Sequence, residues 1–440
     1  MTPTEIYDAL VIGGGPAGAT AALVMARAGL RVRVLERARF PRFHIGESLL
    51  PRNTTLFREL GLEERLRELP HVDKLGAAFV TADDRHQVLF PFDGGLTGGE
   101  TAAFNIERAP FDALLLDTAR EAGAEVTEGR AVRSILRLAD GGVEVVTDDG
   151  EEIAARWLVD ASGQATLLGK HLGTRRVFPH HRKTSWFGHF EGVERREGVS
   201  GGFPTMVVFD EGWFWVIPLD EHRTSIGLVL DSGAARSLGI PADRMLAWGI
   251  ARCPYLRRIT AAATFPETTH VAADFSYRCD PYAGPGYFLA GDAATFLDPI
   301  FSTGVCLGMM SGVRAAEGIE AILRRGEAPG RVRRDYIRYV EGSSSVFFRL
   351  VELYYQSSFR GLFLESTGPL QVHRAVLSIL AGNVFPRPVF ALRWRMKLFE
   401  LLVALNRWFP LAPRRERFSL LAEPGPAAGQ AGDPEALAAG

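Results

Sequence analysis

A glycine-rich segment near the N-terminus, Gly13-Gly14-Gly15-Pro16-Ala17-Gly18, constrains the fold more than any other part of the chain. The apolar run at residues 6–12 predicts a buried strand before it, and residues 15–29 predict a helix after it. Residues 30–38 predict a second strand. The unit therefore has the order and length of a parallel strand–helix–strand unit.

The spacing of the glycines predicts a binding loop for a dinucleotide. Gly13 would permit the tight turn, Gly15 would let a diphosphate approach the backbone, and Gly18 would let the helix pack on the sheet. The helix N-terminus would then face the phosphate charge, and Glu36 would accept hydrogen bonds from ribose hydroxyls. The predicted binding residues of this unit are Gly13, Gly15, Pro16, Ala17, Gly18 and Glu36.

Two later segments repeat the pattern of a buried strand that ends in a small-residue turn with an aspartate. They are residues 158–163, LVDASG, and residues 287–299, YFLAGDAATFLDP. Together with the first loop they resemble the FAD enzymes of the para-hydroxybenzoate hydroxylase and glutathione reductase type. That resemblance implies that Asp292 binds the ribityl and pyrophosphate part of FAD and that Arg108 contacts the flavin side. A plain helix N-cap is the alternative for Asp292.

Composition limits the function classes. The formal net charge of -2 over 440 residues argues against a nucleic-acid partner. The three cysteines are too few and too scattered for a disulfide framework or a zinc site, so we predict no metal and a reducing, cytoplasmic setting. We also predict no signal peptide and no transmembrane segment, since no uninterrupted apolar run is long enough.

Residues 40–51 contain Gly46-Glu47-Ser48, which offers a flexible backbone, an acid and a hydroxyl near the expected flavin ring. This segment resembles the corresponding one in flavin-dependent halogenases and in geranylgeranyl reductases. Alone it does not separate the two families.

Three further motifs favour the halogenases. Trp213, Trp215, Ile217 and Pro218 match a W-x-W-x-I-P motif, and residues 296–304 match F-x-x-P-x-x-S-x-G. Lys74 lies in the K-x-G-x-x-F context of halogenases that act on phenols and pyrroles. The chain therefore resembles the two-component, FADH2-dependent halogenases, over roughly residues 5–320.

The resemblance implies a set of roles. FADH2, O2 and chloride or bromide would give hypohalous acid, and the backbone at Ser302, Thr303 and Gly304 would bind the halide. Lys74 would receive the halogen and present it to a phenolic or pyrrolic ring, free or tethered to a carrier protein. The segment of Trp213, Trp215, Ile217 and Pro218 would separate flavin from substrate. A separate flavin reductase is expected, because no second glycine-rich dinucleotide unit is present.

Several alternatives stay open at this point. The chain could be an aromatic monooxygenase, a geranylgeranyl-reductase-like enzyme, or an FAD-binding component without turnover. Lys74 could be a surface lysine, the tryptophans simple core residues, and Ser302-Thr303-Gly304 a plain helix cap.

The predicted fold class is α/β, with a Rossmann-like FAD-binding domain, a β-sheet substrate domain and C-terminal helices. The predicted boundaries are 1–183 and 270–332 for the FAD domain, 184–269 for the substrate-side sheet, 333–420 for the helices and 421–440 for a disordered tail.

Overall fold

The computed structural model describes residues 6–178, 182–273, 276–364, 369–385, 387–409, 411–412 and 418–422. The predicted disordered tail, except for residues 421 and 422, lies outside these ranges.

The strands of the described residues are β1 (Tyr7–Ile12), β2 (Val32–Glu36), β3 (His71–Lys74), β4 (Gly76–Thr81), β5 (Gln87–Pro91), β6 (Ala103–Ile106), β7 (Glu125–Glu128), β8 (Val132–Ala139), β9 (Gly142–Thr147), β10 (Glu152–Asp160), β11 (Arg175–Val177), β12 (Lys183–Glu191), β13 (Thr205–Val208), β14 (Gly212–Pro218), β15 (Arg223–Asp231), β16 (His270–Ala273), β17 (Tyr277–Cys279), β18 (Ala283–Gly284), β19 (Tyr287–Leu289) and β20 (Thr295–Phe296).

The α-helices of the same residues are α1 (Pro16–Arg27), α2 (Pro51–Glu59), α3 (Glu63–Arg67), α4 (Arg108–Glu121), α5 (Leu167–His171), α6 (Ser232–Ser237), α7 (Ala242–Arg252), α8 (Pro254–Ile259), α9 (Gly304–Arg325), α10 (Pro329–Tyr354), α11 (Ser357–Phe363), α12 (Val372–Leu380) and α13 (Phe390–Leu405).

The first sheet has the order β18-β19-β10-β1-β2-β7, and its central pairs are parallel. The β8–β9 hairpin leads into β10. Helices α1 and α9 pack closely beside each other, since a Cβ at Gly312 of α9 would lie 2.3 Å from the Ala17 carbonyl oxygen of α1. Because β1, β10 and β19 pair in parallel, their carboxyl ends lie at one edge of the sheet, which is where ligands bind in open parallel sheets.

The second sheet has seven strands in the order β16-β12-β15-β14-β13-β4-β5. Two of its strands, β4 and β5, lie within the range 1–183 in the sequence. They join this sheet because β4 pairs in parallel with β13 and β5 pairs with β4. The second sheet is thus not confined to the predicted range 184–269. The C-terminal part contains α10 to α13, as the apolar periodicity predicted. The fold class itself is confirmed.

None of the helices in the described residues combines the length and the apolar character that crossing a membrane requires.

Candidate functional site

Lys74 is the last residue of β3, and its amine is almost completely buried. Its Nζ donates to the carbonyl oxygen of Leu49 at 2.7 Å, and the residue is 2% exposed. Burial lowers the pKa of Lys74 to about 7, because a low-dielectric site disfavours the ammonium form. The alternative of a surface lysine is wrong, and near neutral pH a large share of this amine is uncharged.

Leu49 directly follows the segment Gly46-Glu47-Ser48, so Lys74 contacts the end of that segment. Arg108 fixes the other end, since its Nη1 donates to the Ile45 carbonyl at 2.7 Å. Gly46 has a φ of +104°, and a Cβ there would lie 2.8 Å from the Arg108 guanidinium. Asp112 holds this guanidinium through two bonds of 2.7 and 2.9 Å. The two predicted residues Lys74 and Arg108 therefore flank one loop.

Glu47 contacts His189, a residue that the sequence reasoning did not identify as part of the site. Its Oε1 lies 2.5 Å from Nε2 of His189 on β12. Burial is the largest single influence and lowers the pKa of His189, but the hydrogen bond and charge of Glu47 together with the charge of Glu107 outweigh it, so the net shift is upward. His189 is distant in sequence, and no local motif marks it.

Among the described residues, three buried polar atoms around this loop have no hydrogen-bond partner: Oε2 of Glu47, Oγ of Ser48 and Oδ1 of Asn105. Asn105 lies on β6 and bridges to Ser48. Buried polar groups are normally paired, so such a cluster is expected where a ligand supplies the missing partners.

The glycine-rich loop leaves the start of α1 open. Gly15 is the N-cap of α1, and no side chain caps the helix. A Cβ at Gly18 would lie 1.9 Å from the carbonyl oxygen of Gly13, so a side chain there is excluded by the protein itself. At Gly15 the nearest atom would be 3.4 Å away. Glu36 accepts bonds from the backbone N–H groups of Gly14 and Ala38 at 2.6 and 2.8 Å.

Asp292 and two of the three predicted halide residues, Thr303 and Gly304, line one cavity, whereas Ser302 is not part of its lining. Its walls include Asp292, Thr303 and Gly304 on one side and Ser343 and Ser344 of α10 on the other. Burial raises the pKa of Asp292 to about 6, while Arg108 opposes the shift. Within the described residues the Asp292 carboxylate forms no hydrogen bond or ion pair, and the short turn at 291–293 is capped by Ala290 instead. The plain N-cap alternative for Asp292 is therefore wrong.

The turn before α9 presents the backbone N–H groups of Thr303 and Gly304, whereas the Ser302 N–H donates to the Pro299 carbonyl at 2.9 Å. Ser302 has a φ of +56°, Thr303 is the N-cap of α9, and its side chain makes no capping bond. A Cβ at Gly304 would meet nothing within 4 Å. An uncapped N-terminus of a long helix, with open space before it, suits a small anion.

Trp213 and Trp215 share one face of β14, as the strand period predicted. Their ring centroids lie 5.9 Å apart, and both pack in the apolar cluster of the first sheet, whereas Phe214 and Val216 pack in a second cluster. Ile217 joins the tryptophans, and Pro218 ends the strand. The indole of Trp213 donates to Tyr355 at 3.3 Å and that of Trp215 to Ser225 at 3.1 Å.

Comparisons with known proteins agree with this geometry. Residues 6–338 match the family model described as FAD binding domain. A pyrrole-2-carbonyl carrier-protein brominase of Pseudoalteromonas luteoviolacea is 33% identical over 328 residues, which cover 73% of this chain and 79% of that protein. The corresponding chlorinase of Pseudomonas fluorescens is 29% identical over 86% of this chain and 90% of that protein. The solved structure of the flavin-dependent brominase Bmp2 superposes with a TM-score of 0.80, at 28% identity, over 90% of this chain and all of Bmp2.

The chain belongs to the flavin-dependent halogenases. It is thus an FAD-dependent enzyme that uses halide and O2. When bound, FAD in its reduced form supplies the electrons that activate O2 for oxidation of the halide.

In this halogenase, polar groups that could bind FAD lie in the places that the motifs predicted. The uncapped start of α1 with Gly13, Gly15, Pro16, Ala17 and Gly18 suits the diphosphate, and Glu36 keeps lone pairs for ribose hydroxyls. The unpaired Asp292 carboxylate suits hydroxyls of the ribityl chain. These assignments of individual residues remain predictions.

Sequence reasoning did not predict the partners of the turn at Ser302, Thr303 and Gly304. Asp298, Lys183 and Tyr355 form a buried cluster beside it, described below, and they come from three distant parts of the chain. Asp298 belongs to the quoted segment FLDP, but no residue near it in sequence indicated which side chains it would contact.

Proposed function

We propose that this halogenase transfers electrophilic halogen to an electron-rich phenolic or pyrrolic ring and that Lys74 carries the halogen. The observation that supports the proposal is the buried, largely neutral amine of Lys74. A neutral amine can attack hypohalous acid, forming a nitrogen–halogen bond and releasing water, whereas an ammonium ion has no lone pair. The ring then takes the halogen and loses a proton, which returns the amine to its starting state.

The other residues of the site would act by position. At the turn of Ser302, Thr303 and Gly304, the backbone N–H groups of Thr303 and Gly304 would hold the halide at the start of α9, because the Ser302 N–H already donates to the Pro299 carbonyl at 2.9 Å. The rings of Trp213 and Trp215 would keep the flavin side and the substrate side apart, so that oxygen is not transferred directly to the substrate. Apolar packing around these rings supports that proposal.

The lowered pKa of Lys74 predicts a pH dependence. Product formed per reduced flavin should rise between about pH 6 and about pH 8 as the ammonium loses its proton, and level off above. Single-turnover experiments with pre-reduced FAD and a phenol substrate at saturating bromide would measure it. A yield that falls through neutral pH would contradict a neutral amine as the reactive form.

The experiment that tests the function is a product assay. Mass spectrometry of a phenol, a pyrrole and an indole, each incubated with the enzyme, FAD, a flavin reductase, NADH and bromide, should show brominated phenol or pyrrole. Rapid NADPH oxidation by the enzyme alone with a hydroxylated product would favour an aromatic monooxygenase instead. FAD binding without product in either assay would favour a component without turnover.

We further propose that the substrate ring is tethered to an acidic carrier protein. Two relatives act on pyrrole-2-carbonyl carrier proteins. In this chain, the exposed face of α13 carries Arg393 and Lys397, beside Phe390, which is 71% exposed. Apolar groups interspersed with basic ones suit an acidic protein surface. Of the remaining basic residues in this region, Arg395 and Arg407 are described, and Arg414, Arg415 and Arg417 lie outside the described residues.

A charge reversal tests the docking. Arg393→Glu combined with Lys397→Glu should raise KM for a carrier-tethered pyrrole at least about tenfold and leave turnover of the free ring unchanged, since rim charges mainly affect encounter. Lys170→Glu on α5, an exposed lysine elsewhere, is the control. Equal losses on tethered and free substrates would contradict a docking role.

The reducing equivalents would come from a separate flavin reductase, in agreement with the lack of a second dinucleotide motif in the sequence. A cytoplasmic setting fits Cys253, Cys279 and Cys306, which are buried and unpaired.

A further inference from the structure

Asp298 is a buried carboxylate directly beside the turn that is proposed to hold the halide. It is 1% exposed and lies four residues before Ser302, the first residue of that turn. Its Oδ1 accepts the N–H of Ile300 at 3.1 Å, and its Oδ2 accepts the hydroxyl of Tyr355 at 2.5 Å. A carboxylate in this place fixes the backbone of the turn but also repels an anion bound there.

Tyr355 connects three separate parts of the chain through one hydroxyl. It is the C-cap of α10, it donates to Asp298, and it accepts the indole N–H of Trp213 at 3.3 Å. Burial and the neighbouring carboxylate raise the pKa of Tyr355 well above its ordinary value, so the phenol keeps its proton. Its hydroxyl therefore joins the C-terminal helices, the barrier strand β14 and the halide turn in one arrangement.

Lys183 supplies the opposite charge. It begins β12, is 7% exposed, and its Nζ lies 4.3 Å from the centroid of the Tyr355 ring and 3.8 Å from Asp231. Burial lowers the pKa of Lys183, while Asp298 and Asp231 raise it and Arg360 lowers it. The Lys183 ammonium thus interacts with Asp298 across a buried region, where charges are weakly screened.

We propose that Tyr355, Asp298 and Lys183 are positioning residues for halide binding: Tyr355 holds the halide turn against Trp213, and Lys183 offsets the charge of Asp298 so that the turn accepts an anion. The inference builds on the proposed halide role of Ser302, Thr303 and Gly304. It gives the C-terminal helices a part in the halide step, separate from contacts with the aromatic substrate.

The first test removes the hydroxyl oxygen of Tyr355, which joins the C-terminal helices, β14 and the halide turn. Tyr355→Phe should weaken bromide binding at least about tenfold, since one lost hydrogen bond to a charged group has this effect. FAD affinity should stay within about twofold. In turnover, the halide KM should rise and electrons from FADH2 should go increasingly to O2, giving hydrogen peroxide and less halogenated product. Bromide affinity is measured by the absorption change of bound oxidised FAD, which needs no turnover.

The neighbouring Tyr354 provides a matched control. Its hydroxyl is also buried but has no hydrogen-bond partner in the part of the chain that the structure describes, and its ring contacts Phe301. Tyr354→Phe should leave bromide affinity unchanged. If Tyr355→Phe and Tyr354→Phe behave alike, the proposed role of Tyr355 is wrong.

A double-mutant cycle tests the charge compensation. Lys183→Met alone should weaken bromide binding, because Asp298 then stands uncompensated. Lys183→Met combined with Asp298→Asn should recover part of the affinity, since the charge is removed while the single amide oxygen still accepts from one of the two donors, the Ile300 N–H or the Tyr355 hydroxyl. Lys170→Met serves as a control for loss of an exposed lysine.

The outcomes separate this inference from the proposed function. Additive losses in the double variant, or unchanged bromide affinity in Lys183→Met, would overturn the compensation. A wild-type enzyme that binds bromide but yields no halogenated aromatic product would contradict the proposed function. The bromide affinities of the single and double variants would still decide whether the inference about Lys183 and Asp298 is right.

Discussion

Lys74→Met should reduce halogenation to the background of free hypohalous acid, a loss of about a thousandfold or more, which is the scale seen when a covalent catalytic group is removed. Methionine fills nearly the same volume without a nucleophilic nitrogen. FAD affinity and the rate of flavin oxidation by O2 should stay close to wild type, because among the described residues Lys74 hydrogen-bonds only to the Leu49 carbonyl, just after Gly46-Glu47-Ser48, and methionine keeps the packing there. Liquid chromatography with mass spectrometry gives the product, and stopped-flow absorbance gives the flavin oxidation.

Lys74→Met should also be more stable than wild type. If the lysine stabilised the fold, its replacement would lower the stability instead. The folded-state pKa of Lys74, about 7, lies below the ordinary value of 10.5, so the unfolded state binds the proton more tightly. Stability therefore rises with pH between these two values, and the cost of burying the amine is complete below about pH 7. The gain in Tm for Lys74→Met should accordingly be largest near pH 6 and shrink towards pH 10.

Two results would contradict this account of Lys74. Near-normal halogenation by Lys74→Met would show that the lysine does not carry the halogen. A lower Tm at pH 6 would show that the amine stabilises the fold. Lys170→Met, on the exposed side of α5, should change neither quantity.

Local patterns in the sequence were sufficient for the parts of the fold that are local. The strand–loop–helix at Gly13–Gly18, the strand β14 with its two tryptophans on one face, and the start of α9 at Gly304 follow from short-range periodicity and turn chemistry. They confirm the predicted fold class.

Contacts between residues that are distant in sequence could not be predicted from local sequence patterns. The parallel pairing of β4 with β13 joins residues more than a hundred positions apart, and no local signal specifies it. The same holds for the bond between Glu47 and His189 and for the bond between Asp298 and Tyr355. Each depends on which surfaces the folded chain brings together, and a single sequence does not record that.

Gly15→Ala should weaken FAD binding by about 10- to 100-fold, because an extra methyl group forced into a tight contact costs about 1–3 kcal/mol. The protein itself has no need of glycine here. The φ of Gly15 is -69°, which any residue adopts, and a Cβ would lie 3.4 Å from the nearest atom, a nitrogen of Arg42. A glycine that neither the backbone nor the packing requires is explained if the diphosphate lies against it.

Gly18→Ala is the matched comparison, because there the methyl group would lie 1.9 Å from the carbonyl oxygen of Gly13. That substitution should lower the Tm of the FAD-free protein, whereas Gly15→Ala should leave this Tm within about 1–2 °C, since the added methyl group strains nothing in the protein. Fluorescence titration with FAD and thermal unfolding of both FAD-free variants separate the two effects. Wild-type FAD affinity in Gly15→Ala would mean that the diphosphate does not approach this loop, and the placement of the cofactor at the start of α1 would have to be abandoned.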